Sequence, residues 1–263
     1  MIDTPMAGSA QEKRLKVGAD GREIAVLARP GAAPGVFWLG GFKSDMEGSK
    51  AEALDAWAAQ CGRQATRFDY SGHGRSGGRF EDGTISRWLE EALAVFRDVT
   101  NGPQIVVGSS MGGWIALLVA KALREAGEAD RLAGLVLIAP AVDMTQTLLW
   151  ERFDAAARRD IEEKGFYAQP SDYSDEPYIF TRGLIEDGKA HCFGEAIIET
   201  GCPVHVIQGM LDTDVPWTHA TALMERLALD DAVLTLVRDG DHRLSRQQDI
   251  DRLIRAVAEI GKR

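Results

Sequence analysis

Residues 105–113 read Ile-Val-Val-Gly-Ser-Ser-Met-Gly-Gly, and this stretch decides the fold. A short apolar run leads into a glycine-rich turn, and an Ala- and Leu-rich helical pattern over residues 112–126 follows directly. Gly-x-Ser-x-Gly between a strand and a helix is typical of a sharp turn that exposes a nucleophilic serine. A phosphate-binding loop, another use of such a turn, needs a lysine that this stretch lacks. Only Ser110 has glycine both two residues before and two residues after it, so the spacing predicts Ser110 as the nucleophile.

Short apolar runs alternate with longer helical patterns on both sides of this turn, which is typical of a mostly parallel sheet flanked by helices. A strand–turn–helix nucleophile within such a series predicts the α/β-hydrolase fold. The strands are predicted at residues 23–28, 36–39, 66–68, 105–107, 135–138, 204–207 and 233–237, and the helices at residues 49–59, 88–99, 112–126, 148–164 and 247–260.

The alternation breaks after Pro140 and resumes at residue 204. We therefore predict one α/β core, residues 1–142 and 201–263, interrupted by a small helical cap insertion at residues 143–200. Two interpretations of the apolar side chains in this insertion stay open, since they can line an apolar acyl pocket or form the core of the cap itself. These side chains are Trp150, Phe153, Phe166, Tyr167, Tyr173, Tyr178, Ile179 and Phe180.

The base and the acid are found from the chain order of this fold, which is nucleophile, acid, histidine. Of the four histidines that follow Ser110, His242 alone comes after the last predicted strand, in a loop at the edge of the sheet. The loop after the preceding strand, residues 208–216, holds both Asp212 and Asp214. The spacing Gly-x-x-Asp-x-x-Val-Pro favours Asp212 as the acid that orients the imidazole, and Asp214 remains the alternative.

Acyl transfer also needs two backbone N–H groups aimed at the oxyanion that develops on the substrate carbonyl. The residue after the nucleophile, Met111, supplies one of them. The other is expected from the loop after the strand at residues 36–39, where Gly40-Gly41-Phe42 stands, and we assign the N–H of Phe42. His73 precedes Ser110 in the chain and is expected to brace its own turn-rich loop rather than to react.

Composition narrows the class of partner. The 263 residues carry 40 acidic and 30 basic side chains, a formal net charge of -10, which disfavours nucleic acid and anionic membrane surfaces. Three scattered cysteines and the lack of any cluster with ligand spacing lead us to expect no disulfide framework, no metal and no organic cofactor. We find no signal peptide and no apolar run near the roughly 20 residues of a membrane span, so we expect a cytoplasmic location.

Longer motifs resemble one particular family. Residues 68–76 (Phe-Asp-Tyr-Ser-Gly-His-Gly-Arg-Ser) and residues 102–114, with the nucleophile turn, are similar to the acyl-glucuronide esterase and palmitoyl-protein thioesterase family of animal mitochondria. The likeness runs from about residue 36 to the C-terminus and continues in short motifs at residues 164–165, 170–174, 209–212, 215–217 and 241–243.

This resemblance implies that Ser110, Asp212 and His242 form the triad and that acyl thioesters or acyl esters are hydrolysed. Residues 1–14 are acidic as well as basic, unlike a mitochondrial targeting segment, so a bacterial cytoplasmic relative is expected.

The predicted function is hydrolysis of carboxylic ester or thioester bonds, through an acyl-enzyme, in a small-molecule or acylated substrate. Carbon–carbon bond hydrolases and perhydrolases use the same triad and remain the first alternative. A non-catalytic ligand-binding protein on this fold is the second. A series of acyl esters and thioesters tests the first alternative, and labelling of Ser110 by a fluorophosphonate tests the second. No oligomeric state is predicted.

Overall fold

The computed structural model has a central sheet of eight strands, and the structure describes residues 8–170 and 177–262. Its strands in chain order are β1 (Gln11–Val17), β2 (Arg22–Arg29), β3 (Ala32–Leu39), β4 (Arg63–Phe68), β5 (Gln104–Ser109), β6 (Leu132–Ile138), β9 (Val204–Gly209) and β10 (Ala232–Val237), with β7 (Phe166–Gln169) and β8 (Tyr178–Thr181) forming a separate hairpin.

The order across the large sheet is β1-β2-β4-β3-β5-β6-β9-β10. The β1–β2 and β2–β4 pairs are antiparallel and the other pairs are parallel. The mostly parallel sheet that the alternating pattern predicts is therefore confirmed, and the predicted strands all lie within observed ones.

Helices cover both faces of this sheet. Because side chains alternate along a strand, Val36 and Trp38 of β3 face one layer while Phe37 and Leu39 face the other. The first layer contains α1 (Ser49–Gln60) and α7 (Gln247–Ile260), and the second contains α2 (Ile85–Val99), α3 (Met111–Glu125) and α6 (Trp217–Arg226). Burial of each large apolar side chain stabilises the fold by about 1.5–3 kcal/mol relative to exposure, so the two layers anchor the strand ends that carry the site.

Strand β1 is not among the predicted strands. Its sequence, Gln-Glu-Lys-Arg-Leu-Lys-Val, is mostly charged, and only Val17 is buried. The strand lies at the edge of the sheet and pairs with β2 along its whole length. Backbone pairing, rather than side-chain burial, therefore places this strand in the sheet. Charged side chains on an edge strand also oppose pairing with further chains.

The segment between β6 and β9 differs from the predicted helical insertion. It contains a π-helical turn (Thr145–Trp150), α4 (Ala155–Lys164), the β7–β8 hairpin and α5 (Arg182–Lys189). The single helix predicted at residues 148–164 is wrong, because the π-helical turn ends at Trp150 and Asp154 starts a new helix by capping α4, accepting from the N–H of Ala157 at 2.8 Å. Tyr173 lies outside the described residues.

Two general expectations can be compared with the described residues. Within residues 8–170 and 177–262, no helix is long and apolar enough to cross a membrane. Cys61, Cys192 and Cys202 are all free thiols.

Candidate active site

Ser110 lies at the turn between β5 and α3 in a strained conformation. Its φ is 55° and its ψ is -119°, a region that costs a residue with a side chain about 1–3 kcal/mol. Neighbouring backbone holds it there, since the Ser110 N–H donates to Ile138 O at 2.8 Å and the Ser110 carbonyl accepts from Gly113 N–H at 2.9 Å and Ala141 N–H at 3.1 Å. The strain is the structural signature expected of an exposed nucleophile on such a turn.

Gly112 brings this turn against the end of β3. A Cβ on Gly112 would lie 2.1 Å from Leu39 O and 2.5 Å from Gly40 O, so only glycine permits this approach. As a result the loop after β3 lies beside the nucleophile, and a Cβ on Gly41 would be 3.4 Å from the Cβ of Ser110. The glycines around Ser110 thus place the turn next to the second expected oxyanion donor.

The structure brings the three predicted triad residues together. The Nε2 atom of His242 lies 3.0 Å from Ser110 Oγ, and its Nδ1 atom lies 2.8 Å from Asp212 Oδ2. The side chain of Asp212 is fully buried, whereas Asp214 is exposed. The other oxygen of Asp212 accepts from the backbone N–H groups of Asp214 and Val215 at 2.9 and 2.8 Å. Asp214 therefore contributes its backbone to the orientation of Asp212, and Asp212 is the carboxylate in contact with the imidazole.

Two residues at the end of β9 support this pair: Gln208, which sequence reasoning did not single out, and Gly209, which it used only as part of a spacing. Gln208 is fully buried, and its amide donates to Asp212 Oδ2 at 3.0 Å and to Val215 O at 2.9 Å. A Cβ on Gly209 would lie 2.4 Å from Gly240 O, so its absence lets the loop before His242 pack against the end of β9. The sequence signal for them was that the apolar run at residues 204–207 ends in Gln208 and Gly209, four and three residues before Asp212.

The two expected oxyanion donors flank the nucleophile. Met111 is the first residue of α3, where a backbone N–H has no intrahelical acceptor. Phe42 lies in a turn in which the Ser44 N–H donates to Gly41 O at 3.1 Å. Among the described residues, neither the Met111 nor the Phe42 N–H has a hydrogen-bond acceptor.

His73 lies near this turn but contacts neither Ser110 nor His242. Its Nε2 atom accepts from the Lys43 N–H at 3.2 Å, and its Nδ1 atom lies 3.2 Å from Ser71 O. Burial lowers the pKa of His73 to about 4, so its imidazole is neutral at physiological pH.

A cleft of about 750 Å³ contains Ser110 and His242. Apolar side chains from the segment between β6 and β9 line one part of it, namely Met144, Leu148, Leu149, Phe153, Tyr178 and Phe180. Of the aromatic side chains for which two interpretations were open, three thus line the cleft, and Tyr167 packs against Phe153 with ring centroids 5.3 Å apart.

A polar part of the same cleft is lined by residues 43–45, 48–50, 152, 213–214, 243 and 245. Its described charged side chains, apart from His242, are four cations and two carboxylates: Lys43, Lys50, Arg152, Arg243, Asp45 and Asp214. Burial lowers the pKa of Lys50 to about 8, and its ammonium donates to Arg243 O in the loop that carries His242.

Comparisons with known proteins support the same class of enzyme. The family model described as serine aminopeptidase, S33, matches residues 41–163. The palmitoyl-protein thioesterase ABHD10 of Bos taurus, a mitochondrial protein, is 33% identical over 249 residues, which cover 90% of this chain and 79% of that protein. The chain belongs to the ABHD10 family of α/β-hydrolases. The family resemblance that the motifs indicate is thereby confirmed.

Solved structures agree with this ABHD10-family assignment. A hydrolase from Agrobacterium vitis S4 is 51% identical, with a TM-score of 0.91 and coverage of 96% of this chain and 98% of that chain. Mouse ABHD10 is 31% identical, with a TM-score of 0.85 and the same two coverages. The α/β-hydrolase fold is confirmed, and the chain is a hydrolase that acts on ester or thioester bonds.

One carboxylate–histidine cluster in this site has metal-ligand types. Donor atoms of Asp212, Asp214 and His242 lie within 4.8 Å of one another. Both oxygens of Asp212 already accept hydrogen bonds, and Nδ1 of His242 is paired with one of them. The donors are therefore engaged in orienting the imidazole, which is the arrangement that acyl transfer uses.

Proposed function

We propose that Ser110, His242 and Asp212 are the catalytic triad and that the N–H groups of Phe42 and Met111 form the oxyanion hole. The observation that carries this proposal is the hydrogen-bonded chain in which His242 bridges Ser110 Oγ and the buried Asp212 carboxylate at 3.0 and 2.8 Å. Nucleophile, base and orienting acid in this order are the arrangement that activates a serine for acyl transfer.

The mechanism follows from these contacts. His242 Nε2 takes the proton of Ser110 while Oγ attacks the acyl carbonyl, and the two N–H groups stabilise the oxyanion. His242 then gives the proton to the leaving thiolate or alkoxide, which leaves an acyl ester on Ser110. A water molecule, deprotonated by the same imidazole, attacks that ester, and collapse of the second oxyanion returns the proton to Ser110 and releases the acid.

Residues 143–200 are proposed to act as a cap that holds the acyl chain. This segment contributes six apolar side chains to the lining of the cleft, and two of them, Phe153 and Phe180, are each less than a tenth exposed. Because ABHD10 of Bos taurus is named a palmitoyl-protein thioesterase, we propose that long acyl chains of S-acylated proteins or peptides occupy this apolar part.

Acyl glucuronides are a second candidate substrate class. Among the described residues, the polar part of the cleft carries more cations than carboxylates, although the whole chain has a net charge of -10. A leaving group with a carboxylate, as in a glucuronide, is favoured next to such cations.

A substrate panel tests both candidates. We expect Ser110-dependent hydrolysis of S-acyl peptides, neutral alkyl esters and acyl glucuronides, with kcat/KM rising as the acyl chain lengthens from two to sixteen carbons. Ser110→Ala should lose more than about 1,000-fold in kcat. Ser109→Ala is the matched control, because Ser109 is the adjacent hydroxyl and should leave kcat within a few-fold.

Other outcomes of the panel would overturn the proposal. Cleavage of a vinylogous diketone in preference to all esters would favour a carbon–carbon hydrolase, and peroxide-dependent formation of peracids would favour a perhydrolase. Failure of a fluorophosphonate to label Ser110 would favour a binding protein.

We also propose a reducing compartment, since the three cysteines of the described residues are free. The cytoplasmic location expected from the sequence stays a prediction, and the ABHD10 proteins in the comparison are named mitochondrial. Fractionation of cells that express the native chain would test both statements. Enrichment in an oxidising compartment would contradict the reducing compartment, and enrichment outside the cytoplasm would contradict the cytoplasmic location.

A further inference from the structure

The turn that carries the Phe42 N–H contains a strained residue. The Ser44 N–H donates to Gly41 O at 3.1 Å, and Lys43, the third residue of this turn, has a φ of 58°. A type II turn needs a positive φ at its third position, which is why glycine is usual there. Lysine at this position raises the conformational energy of the turn, so the turn needs support from outside its own four residues.

His73 supplies that support as a hydrogen-bond acceptor. The Lys43 N–H, which belongs to the peptide directly after Phe42, donates to His73 Nε2 at 3.2 Å. The other ring nitrogen lies 3.2 Å from Ser71 O, a pure acceptor, so Nδ1 carries the proton and Nε2 is left with its lone pair. The side chain of His73 is only 4% exposed, and desolvation favours the neutral ring that this role requires.

Aromatic neighbours fix the orientation of the ring. The centroids of Phe80, Trp88 and Tyr70 lie 5.1, 5.3 and 5.8 Å from that of His73, each in an edge-on arrangement. Trp88 is itself fixed, because its indole N–H donates to the same Ser71 carbonyl at 3.2 Å. The acceptor at Nε2 therefore has a defined position relative to the turn.

We propose that His73 is a positioning residue for the oxyanion hole. By accepting from the Lys43 N–H, it sets the peptide planes of the turn so that the Phe42 N–H faces the oxyanion that forms when Ser110 adds to the substrate carbonyl. This inference rests on the proposed function, in which the Phe42 N–H is an oxyanion donor. His73 does not take or give a proton in the reaction and does not touch the substrate.

Two substitutions separate the acceptor from the bulk of the side chain. His73→Leu keeps a side chain of similar reach but removes the acceptor. We expect kcat to fall about 100-fold while KM changes less than about threefold, as for the loss of one oxyanion donor. His73→Gln places an amide oxygen at a distance from Cα that suits the Lys43 N–H. We expect it to recover at least about tenfold of the lost kcat.

The affinity for a transition-state mimic distinguishes a positioning role of His73 from a role in stability alone, because a residue that only stabilises the fold would leave this affinity unchanged. An acyl trifluoromethyl ketone adds to Ser110 and forms a stable oxyanion, so its affinity should fall by the same factor as kcat/KM across the variants. In the His73→Leu background, Lys43→Gly removes the strain of the turn and should restore part of kcat.

The outcomes are decisive in both directions. The inference is overturned if His73→Leu keeps kcat within twofold of the wild type. It is also overturned if His73→Leu and His73→Gln lose thermal stability and activity equally while the affinity for the ketone is unchanged in the folded fraction. If His73→Leu does not fold, His73→Ala, which also lacks the acceptor, and His73→Ala/Lys43→Gly are compared with His73→Gln in the same way. Full turnover by Ser110→Ala would instead overturn the proposed function, so the two failures are distinguishable.

Discussion

At the scale of single residues, the site depends on a carboxylate that is buried yet fully hydrogen-bonded. Asp212 accepts from His242, Gln208 and two backbone N–H groups, so its charge is compensated although its side chain has no exposure. A buried carboxylate left without such partners would be costly. The loop after β9 therefore holds the Asp212 carboxylate in one orientation, which in turn fixes the proton of His242 on Nδ1.

Replacement of either acid in this loop tests which one orients the imidazole. Asp212→Asn offers His242 an amide that can stabilise the wrong tautomer, and we expect kcat to fall about 10⁴-fold with little change in folding. Asp214→Asn is the matched control, because it leaves the Asp214 N–H in place and should cost less than about threefold. Steady-state kinetics with a short acyl ester measures both, and an equal loss in the two variants would contradict the assignment.

The buried ring of His73 predicts a pH dependence of stability. Burial lowers its pKa to about 4 in the folded chain, whereas an exposed histidine titrates near pH 6.5. As the pH falls through this window the unfolded chain binds a proton that the folded chain does not, so folding loses on the order of 3 kcal/mol from this group.

The measurement is urea unfolding of the wild type and of His73→Gln between pH 7 and pH 4.5. Because the variant has no titrating ring, the stability of the wild type relative to the variant should decline as the pH falls. A difference that stays constant over this range would contradict the burial argument. Other titrating groups, including His219, are present in both proteins and cancel in the comparison.

At the scale of elements, the β7–β8 hairpin, part of the segment proposed as a cap, contacts the turn that carries the Phe42 N–H. The ring of Phe180 on β8 stacks on the ring of Phe42 with centroids 5.4 Å apart and an interplanar angle of 13°. The ring centroid of Phe180 also lies 5.7 Å from that of Phe153, and both side chains line the cleft. Phe42 also contacts Tyr178 of β8, with ring centroids 6.0 Å apart, so aromatic contacts link the position of the hairpin to that of the turn.

Shortening Phe180 tests this link. We expect Phe180→Ala to lower kcat/KM about tenfold or more for sixteen-carbon acyl substrates and less for two-carbon ones, because it removes both acyl-pocket surface and the stack on Phe42. Phe166→Ala is the control from the same hairpin, since Phe166 is 44% exposed and does not line the cleft. Equal effects of the two variants at every chain length would contradict the link.

Elements in which apolar side chains recur at regular spacing were predictable from the sequence. Elements whose position depends on backbone pairing or on a capping hydrogen bond were not. Helix α7 is observed at the predicted bounds because its buried residues recur at helical spacing. Strand β1 shows no apolar alternation, and its place follows from pairing with β2. The break at Asp154 depends on a capping hydrogen bond that competes with a continuous helical pattern.

At the scale of the whole molecule, charge is distributed unevenly. The chain carries a net charge of -10, yet cations outnumber carboxylates in the cleft lining described here. A cleft with an excess of one sign of charge attracts substrates of the opposite sign, and salt screens this attraction. We expect kcat/KM for a substrate with an anionic leaving group to fall as ionic strength rises, while a neutral ester of the same acyl chain is little affected.

Arg243→Gln provides the matched variant, because its exposed side chain lines the polar part of the cleft. The variant should lose most of the preference for the anionic leaving group and keep its rate on the neutral ester. Identical salt profiles for the two substrates in the wild type would contradict a role of the cleft cations.

The candidate triad was largely predictable because the chain order of the fold and the glycine spacing restrict each role to one or two residues. The supporting role of Gln208 and the contact between His73 and Lys43 were not predictable, because both arise only when distant loops meet at the strand ends. Sequence spacing predicted the residues that are proposed to react, whereas the residues proposed to position them became visible only through hydrogen bonds made after folding.

The most direct test of the central claim is rapid-quench mass spectrometry of the protein mixed with a palmitoyl thioester. The proposed mechanism predicts a palmitoyl ester on Ser110 that forms and decays with turnover, is absent from Ser110→Ala and is retained in Ser109→Ala. Wild-type turnover by Ser110→Ala, or a palmitoyl group found on another residue instead, would contradict it.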